Sequence, residues 1–155
     1  MNSYKKAKKI ILNDEDLSDF VGSRSEELIE KAEKVLNISI TGSYRDFLLS
    51  FGAGNYGSQE IYGVIDDDFE NSSVPDAIWY TLSERKECNL PENLLVIYDT
   101  GSGDLFCLDF DKKNLENEPE VISFVPGVDL NKQKYEVIAP TFGQFLLEII
   151  NQELE

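Results

Sequence analysis

Two apolar segments separated by a five-residue polar connection place the strongest constraint on the fold of this chain. NLLVIYD spans residues 93–99 and LFCLDF spans residues 105–110, with TGSGD between them. Both segments are rich in residues that favour β-strands. The glycines of the connection readily adopt positive φ, and its Thr and Asp side chains can hydrogen-bond the backbone. The pattern predicts a β-hairpin, with Cys107 packed in the core.

The same connection contains the glycines and aspartates of a possible phosphate or metal site. It lacks the Gly-Lys-Ser/Thr ending of a phosphate-binding P-loop. A phosphate group bound there would also lie in a strongly negative field, since the chain has 30 acidic and 14 basic side chains. A turn therefore explains this segment better than a ligand site does.

The remaining patterns predict an α+β fold. Two further β-rich segments occupy residues 60–65 and 120–125, and the three late segments suggest an antiparallel meander. Apolar residues at helical spacing predict helices over residues 3–13, 23–37, 41–52 and 141–150, with a weaker one over 76–85. Ser23 with Glu26 and Thr141 with Gln144 fit capping boxes at two of the starts.

The acidic composition narrows the possible functions. A formal net charge of -16 repels nucleic acid and anionic membranes and attracts basic partners, although it serves solubility equally well. The chain has no histidine, which excludes Ser-His-Asp and Cys-His catalysis and most zinc sites. An enzyme built on paired carboxylates stays open, but no acidic pair is singled out.

Other motifs favour structural explanations. GAGNYG at 52–57 matches a dinucleotide fingerprint, but it follows a predicted helix where that motif needs a preceding strand. DDDFE at 66–70 lacks the glycine and distal glutamate of a calcium-binding EF-hand loop, so we expect a solvated acidic loop without a metal. Trp79 and the tyrosines could stack a ligand, although aromatic residues at these spacings usually pack in the core. The N-terminus does not resemble a signal peptide.

Taken together, these segments resemble the SUKH superfamily, also called the Smi/Knr-like proteins. SEELIEKAEKVLNISITGSYRDFLLSFGAG is similar to the family's opening helices, and EIYGV to the strand that follows them. The hairpin with its Gly103-Asp104 pair, the strand PEVISFVPG and the closing IAPTFGQFLLEII complete the same order over residues 20–150. The chain departs from the family at Ile40-Thr41, where Leu-Pro is usual, and at Ser123-Phe124, where a Trp is common.

The resemblance implies a single SUKH-like domain over residues 1–155, with a central, mostly antiparallel sheet flanked by helices. It implies no catalysis and no cofactor. It also implies a cytoplasmic immunity protein, or antitoxin, which binds and neutralises a cognate secreted polymorphic toxin. Because nucleases grip phosphates and tend to be basic, we expect a nuclease toxin domain as the partner, and neither nucleic acid nor membrane. The alternative is a non-enzymatic regulatory or scaffolding module.

The predicted partner contacts are acidic side chains with one neighbouring tyrosine. They are Asp66, Asp67, Asp68 and Glu70, with Tyr62, Asp99 and Asp104 as further candidates. Asp99 precedes the hairpin connection and Asp104 is its last residue, so each carboxylate either stabilises the turn or contributes to an acidic face. The turn role is favoured for Asp104, which adjoins the turn and matches the family's Gly-Asp pair.

Overall fold

A computed structural model describes residues 2–155 of the chain and confirms the α+β class. Within these residues it contains five α-helices, seven β-strands and one short 3-10 helix. The helices are α1 (Asn2–Asn13), α2 (Glu26–Leu36), α3 (Ser43–Phe51), α4 (Ala77–Cys88) and α5 (Phe142–Leu154). The strands are β1 (Ser18–Phe20), β2 (Gly54–Tyr56), β3 (Gln59–Ile61), β4 (Leu94–Asp99), β5 (Leu105–Lys113), β6 (Pro119–Phe124) and β7 (Val137–Ala139). The 3-10 turn covers Leu130–Lys132.

The strands are divided between two antiparallel sheets. The larger sheet has the order β4-β5-β6-β7, which is the predicted three-stranded meander with a fourth strand, β7, that the sequence pattern did not predict. The smaller sheet has the order β1-β2-β3. Of the predicted strand at 60–65, only residues 60–61 lie in a ladder, as part of β3. This strand pairs with β2, which the sequence pattern did not predict. One backbone hydrogen bond of 2.9 Å, from Tyr62 N–H to the Ile97 carbonyl, joins the end of β3 to β4.

The predicted hairpin is present. β4 pairs with β5 in a register that places Leu95 opposite Leu108 and Asp99 opposite Leu105. Cys107 is fully buried, as expected. β6 then pairs along the other edge of β5, so the three late segments form consecutive neighbours in one sheet.

The core is centred on an aromatic cluster between α3 and α5. The ring of Phe142 lies 5.0 Å from that of Tyr44 and 5.4 Å from that of Phe47, in edge-to-face arrangements. All three side chains are fully buried. Such edge-to-face pairs add to the stabilisation from burial.

Helix ends follow local signals, with one correction. Ser25, not Ser23, caps α2: its hydroxyl accepts a hydrogen bond from Leu28 N–H at 3.2 Å. Ser25 itself has extended backbone angles, and Arg24 N–H donates to the Leu49 carbonyl at 3.1 Å, so the helix begins at Glu26. Thr141 caps α5 as predicted, accepting from Gln144 N–H at 3.2 Å.

The start of α3 depends on a residue far away in the sequence. The helix begins at Ser43 rather than near Thr41, and its first N–H donates to both carboxylate oxygens of Glu118 at 2.9 Å. Glu118 is buried, and a carboxylate is favourable at a helix N-terminus. The connection between β5 and β6 therefore fixes the position of α3.

Candidate protein-binding surface

Residues 66–70, which we call the acidic loop, present four exposed carboxylates. Phe69 is 7% exposed and anchors the loop in the core. Asp66 Oδ1 accepts from Asp68 N–H at 3.0 Å, and Asp68 Oδ1 accepts from Asn71 N–H at 3.1 Å. These short-range bonds order the backbone. Asp66, Asp67, Asp68 and Glu70 all remain exposed to solvent.

One basic residue approaches the acidic loop. Lys31 on α2 lies 3.4 Å from Asp67 Oδ2, and both side chains are more than half exposed. Ion pairs of this kind contribute little, about 0–1 kcal/mol. The loop therefore keeps an excess of negative charge that can attract a basic partner.

A second acidic position lies at the end of β4. Asp99 is exposed, and its Oδ1 accepts from Gly101 N–H at 2.9 Å. The Tyr80 hydroxyl donates to Asp99 Oδ2 at 3.5 Å. Asp99 thus both stabilises the turn and contributes a charge to the surface. Burial and the charges of Asp99 and Glu84 raise the pKa of Tyr80 to about 12, so Tyr80 stays a neutral donor at physiological pH.

Tyr62 does not present its ring at the surface. It is 3% exposed and stacks beneath Tyr80, with ring centroids 5.4 Å apart. In this conformation it cannot make a substantial contact with a partner. Its place as a contact candidate passes to Tyr80, which Tyr62 supports from below.

Asp104 is used within the hairpin. Its Oδ1 accepts from the Thr100 hydroxyl at 2.8 Å and its Oδ2 from the Ser123 hydroxyl at 3.1 Å. These bonds hold the pKa of the carboxyl below its ordinary value, the Thr100 bond most strongly. Asp104 lines a shallow groove with Lys132 and Lys134 rather than with the acidic loop. The geometry favours the turn-stabilising role.

Helix α4, the weaker predicted helix, forms one wall of a groove of about 430 Å³. Asp76 caps this helix, accepting from Ile78 and Trp79 N–H at 2.9 and 3.0 Å. We call this feature the α4 groove; its lining residues are Ser73, Val74, Trp79, Tyr80, Ser83, Glu84 and Glu87.

One carboxylate in the α4 groove is partly withdrawn from water. Glu84 Oε1 is buried and accepts no hydrogen bond from an N–H or O–H group of the described residues, so the weakly donating Cys88 thiol is the only donor beside this carboxyl group. Burial raises the pKa of this carboxyl above its ordinary value, and the charges of Glu87 and Asp99 add to the effect. The Cys88 thiol lies beside the same carboxyl group, and its pKa is also raised, chiefly by burial. Glu84 therefore carries a charge that its surroundings do not fully compensate.

A comparison with known protein families decides the classification. A SUKH family model described as SMI1-KNR4 cell-wall matches residues 2–151. The chain belongs to the SUKH family. The match extends beyond the resemblance over residues 20–150 and includes α1. A search of curated proteins gave no match to this SUKH chain.

The sequence did not predict the α4 groove of this SUKH protein. Its lining combines residues 73–74, which precede α4, with side chains from three turns of the helix itself. The groove therefore exists only once the segment before α4 folds against the helix. The adjacent Trp79 and Tyr80 were the sequence feature that could have indicated a groove, but aromatic residues are usually expected to pack in the core.

Residues 2–155 contain neither a cluster of metal-ligating side chains nor a helix that could span a membrane. No three His, Cys, Asp or Glu side chains in this range are grouped so that they could hold a metal ion. None of the helices there is long and apolar enough to cross a membrane. The GAGNYG segment follows α3, with Gly52 at its C-terminal cap and β2 next, which is not the context of a dinucleotide site.

Proposed function

We propose that this SUKH protein is a cytoplasmic immunity protein that binds and neutralises a cognate secreted toxin, whose toxic domain is a basic nuclease. The observation that carries the proposal is the acidic loop. Four exposed carboxylates within five residues stand on a backbone ordered by Phe69 and by hydrogen bonds. The net charge of -16 supports the same partner chemistry.

Inhibition in this proposal is stoichiometric and needs no catalysis. A nuclease holds phosphates with a basic surface, and an acidic protein can occupy that surface in place of nucleic acid. The long-range field accelerates encounter, and contacts at short range fix the orientation. Asp99 and Tyr80 add a charged and an aromatic group near the end of β4.

The proposal is tested by co-expression with the toxic C-terminal domain encoded by the neighbouring gene. We expect cells to survive when the wild-type protein is present and to die when it is absent. A variant with Asp66→Asn, Asp67→Asn, Asp68→Asn and Glu70→Gln should protect less well.

The matched control removes the same number of charges from other exposed positions. It carries Glu15→Gln, Asp16→Asn, Glu116→Gln and Asp129→Asn. This control should protect as the wild type does. Continued killing in the presence of the wild-type protein would reject the immunity role and leave the regulatory or scaffolding alternative.

A further inference from the structure

We propose that the α4 groove binds an arginine side chain presented by a protein partner. The inference deepens the immunity role, and it rests on that role only in expecting the toxin to supply the arginine. The groove offers an aromatic surface, an acidic stripe and an apolar edge, which are the three environments that an arginine side chain can use.

The aromatic surface is formed by Trp79 and Tyr80. Their rings lie 6.0 Å apart at 78°, and both side chains are half-buried. Tyr62 supports the Tyr80 ring from below, and Asp99 accepts from its hydroxyl. A guanidinium group stacks favourably on such rings, and a ring held in place loses little freedom when it does so.

The acidic stripe follows the helix. Tyr80, Ser83, Glu84 and Glu87 are spaced three and four residues apart, so they share one face of α4. Among the described residues that line the groove none is basic, and both glutamates lack a cationic partner. The neighbouring Arg85 forms no ion pair with either glutamate, and its guanidinium donates to the Glu92 backbone carbonyl at 2.9 Å.

Glu84 favours a cation more than an exposed glutamate would. Folding has already removed one of its oxygens from water, and the only donor beside the carboxyl group is the Cys88 thiol, which is a weak one. Part of the desolvation cost of an ion pair is therefore met before the partner arrives. A planar guanidinium can donate to a carboxylate through two N–H groups, whereas an ammonium group acts as a point charge.

The apolar edge of the groove is Val74, which is 43% exposed. It lies beside Ser73 at the end of the segment that begins with the acidic loop. The methylene stem of an arginine can pack on this edge while its head reaches the glutamates. The glutamates, the aromatic rings and the apolar edge of the groove thus all fit an arginine side chain.

The fluorescence of Trp79 reports binding in the α4 groove, because Trp79 is the only tryptophan in the chain. The probe is a capped Gly/Ser heptapeptide with one central arginine, and the control peptide carries neutral citrulline instead. We expect the arginine peptide to change Trp79 fluorescence in a saturable way with Kd in the millimolar range, up to about 10 mM. The citrulline peptide should produce no saturable change.

The variant Glu84→Gln with Glu87→Gln should bind the arginine peptide at least about tenfold more weakly, since charge-assisted hydrogen bonds are lost. Glu15→Gln with Glu116→Gln removes the same charge elsewhere and should bind like the wild type. Ser83→Arg is a second groove variant, which should abolish the response by supplying a competing guanidinium.

Three results would overturn the inference: no response of the wild type up to about 10 mM, an equal response to citrulline, or equal weakening in the control variant. Because no toxin is present in this assay, its outcome is independent of the co-expression test. Failure of either experiment can therefore be assigned to its own proposal.

Discussion

The acidic loop and the TGSGD turn are both short, aspartate-containing connections, yet they use their carboxylates differently. In the turn, both oxygens of Asp104 accept hydrogen bonds from hydroxyl groups. In the loop, Asp66 and Asp68 each accept through Oδ1 to order the local backbone, and their side chains stay exposed. Composition alone does not separate these cases. The difference lies in whether neighbouring strands place donors beside the carboxylate.

The sheet explains why Asp104 finds its donors. β6 lies beside β5, with Ser123 opposite Phe106, so the Ser123 hydroxyl reaches the Asp104 carboxylate, which immediately precedes β5. Within residues 2–155, no strand pairs with the acidic loop, which leads from β3 towards α4 and is attached mainly through Phe69. We therefore expect changes in the turn to alter stability and changes in the loop to alter association.

The largest effect is expected when the anchor of the acidic loop is removed. Phe69→Ala should lower the free energy of unfolding by about 3 kcal/mol, because a buried aromatic side chain is lost and a cavity remains. Denaturant unfolding measures the loss. Relative to the wild type, the variant should accelerate amide hydrogen exchange more over residues 66–71 than over residues 100–104. A loss below about 1 kcal/mol would mean that Phe69 does not anchor the loop.

The next effect is on association with the toxin domain. Neutralising Asp66, Asp67, Asp68 and Glu70 together should slow association about tenfold at low salt, because electrostatic steering is reduced. The difference should shrink as salt is added, while the free energy of unfolding stays within about 0.5 kcal/mol of the wild type. Stopped-flow mixing measures the rate. An unchanged rate at low salt would remove the loop from the interface.

A smaller effect on stability is expected in the turn. Asp104→Asn should lower the free energy of unfolding by about 1 kcal/mol at neutral pH, through weakened hydrogen bonds to Thr100 and Ser123. The folded pKa of Asp104 is lowered, so its stabilisation is present above the unfolded pKa of about 3.9 and is lost as pH falls through the folded value. The gap between variant and wild type should therefore close in acid.

The association rate should distinguish the Asp104→Asn variant from the variant with the four loop acids neutralised. Asp104→Asn should leave the association rate with the toxin domain unchanged. A slower rate, with stability intact, would place Asp104 on the binding face and remove the distinction between the two connections.

The smallest effect is expected at the ion pair beside the loop. Asp67→Asn should change the free energy of unfolding by less than about 0.5 kcal/mol, because the pair with Lys31 is exposed and screened. Thermal unfolding measures the change, with Glu116→Gln as an exposed control. A loss above about 1 kcal/mol would show that the pair holds the loop in place.

Local patterns predicted the elements that depend on neighbouring residues. The hairpin, the end of α3 at Gly52 and the cap of α5 at Thr141 all follow from side chains within a few positions. The short strands β1, β2 and β7 were missed because three residues carry too little periodicity, and the pairing of β1 with β2 brings distant segments together. The start of α3 was misplaced for the same reason, since its partner is Glu118.

The candidate surface was predicted unevenly. The exposure of the acidic loop followed from its composition, and the turn role of Asp104 from its position beside two glycines. The burial of Tyr62 beneath Tyr80 depends on the packing of α4 against β4 and on the hydrogen bond from Tyr62 N–H to the Ile97 carbonyl, which no local pattern encodes.

The central claim is tested most directly by titrating the purified protein into a catalytically inactive form of the toxin domain in a calorimeter. We expect saturable, equimolar binding that weakens as salt is raised, and a weaker complex for the variant with all four loop acids neutralised. Absence of binding at low salt, or equal affinity of the loop variant at every salt concentration, would contradict the account.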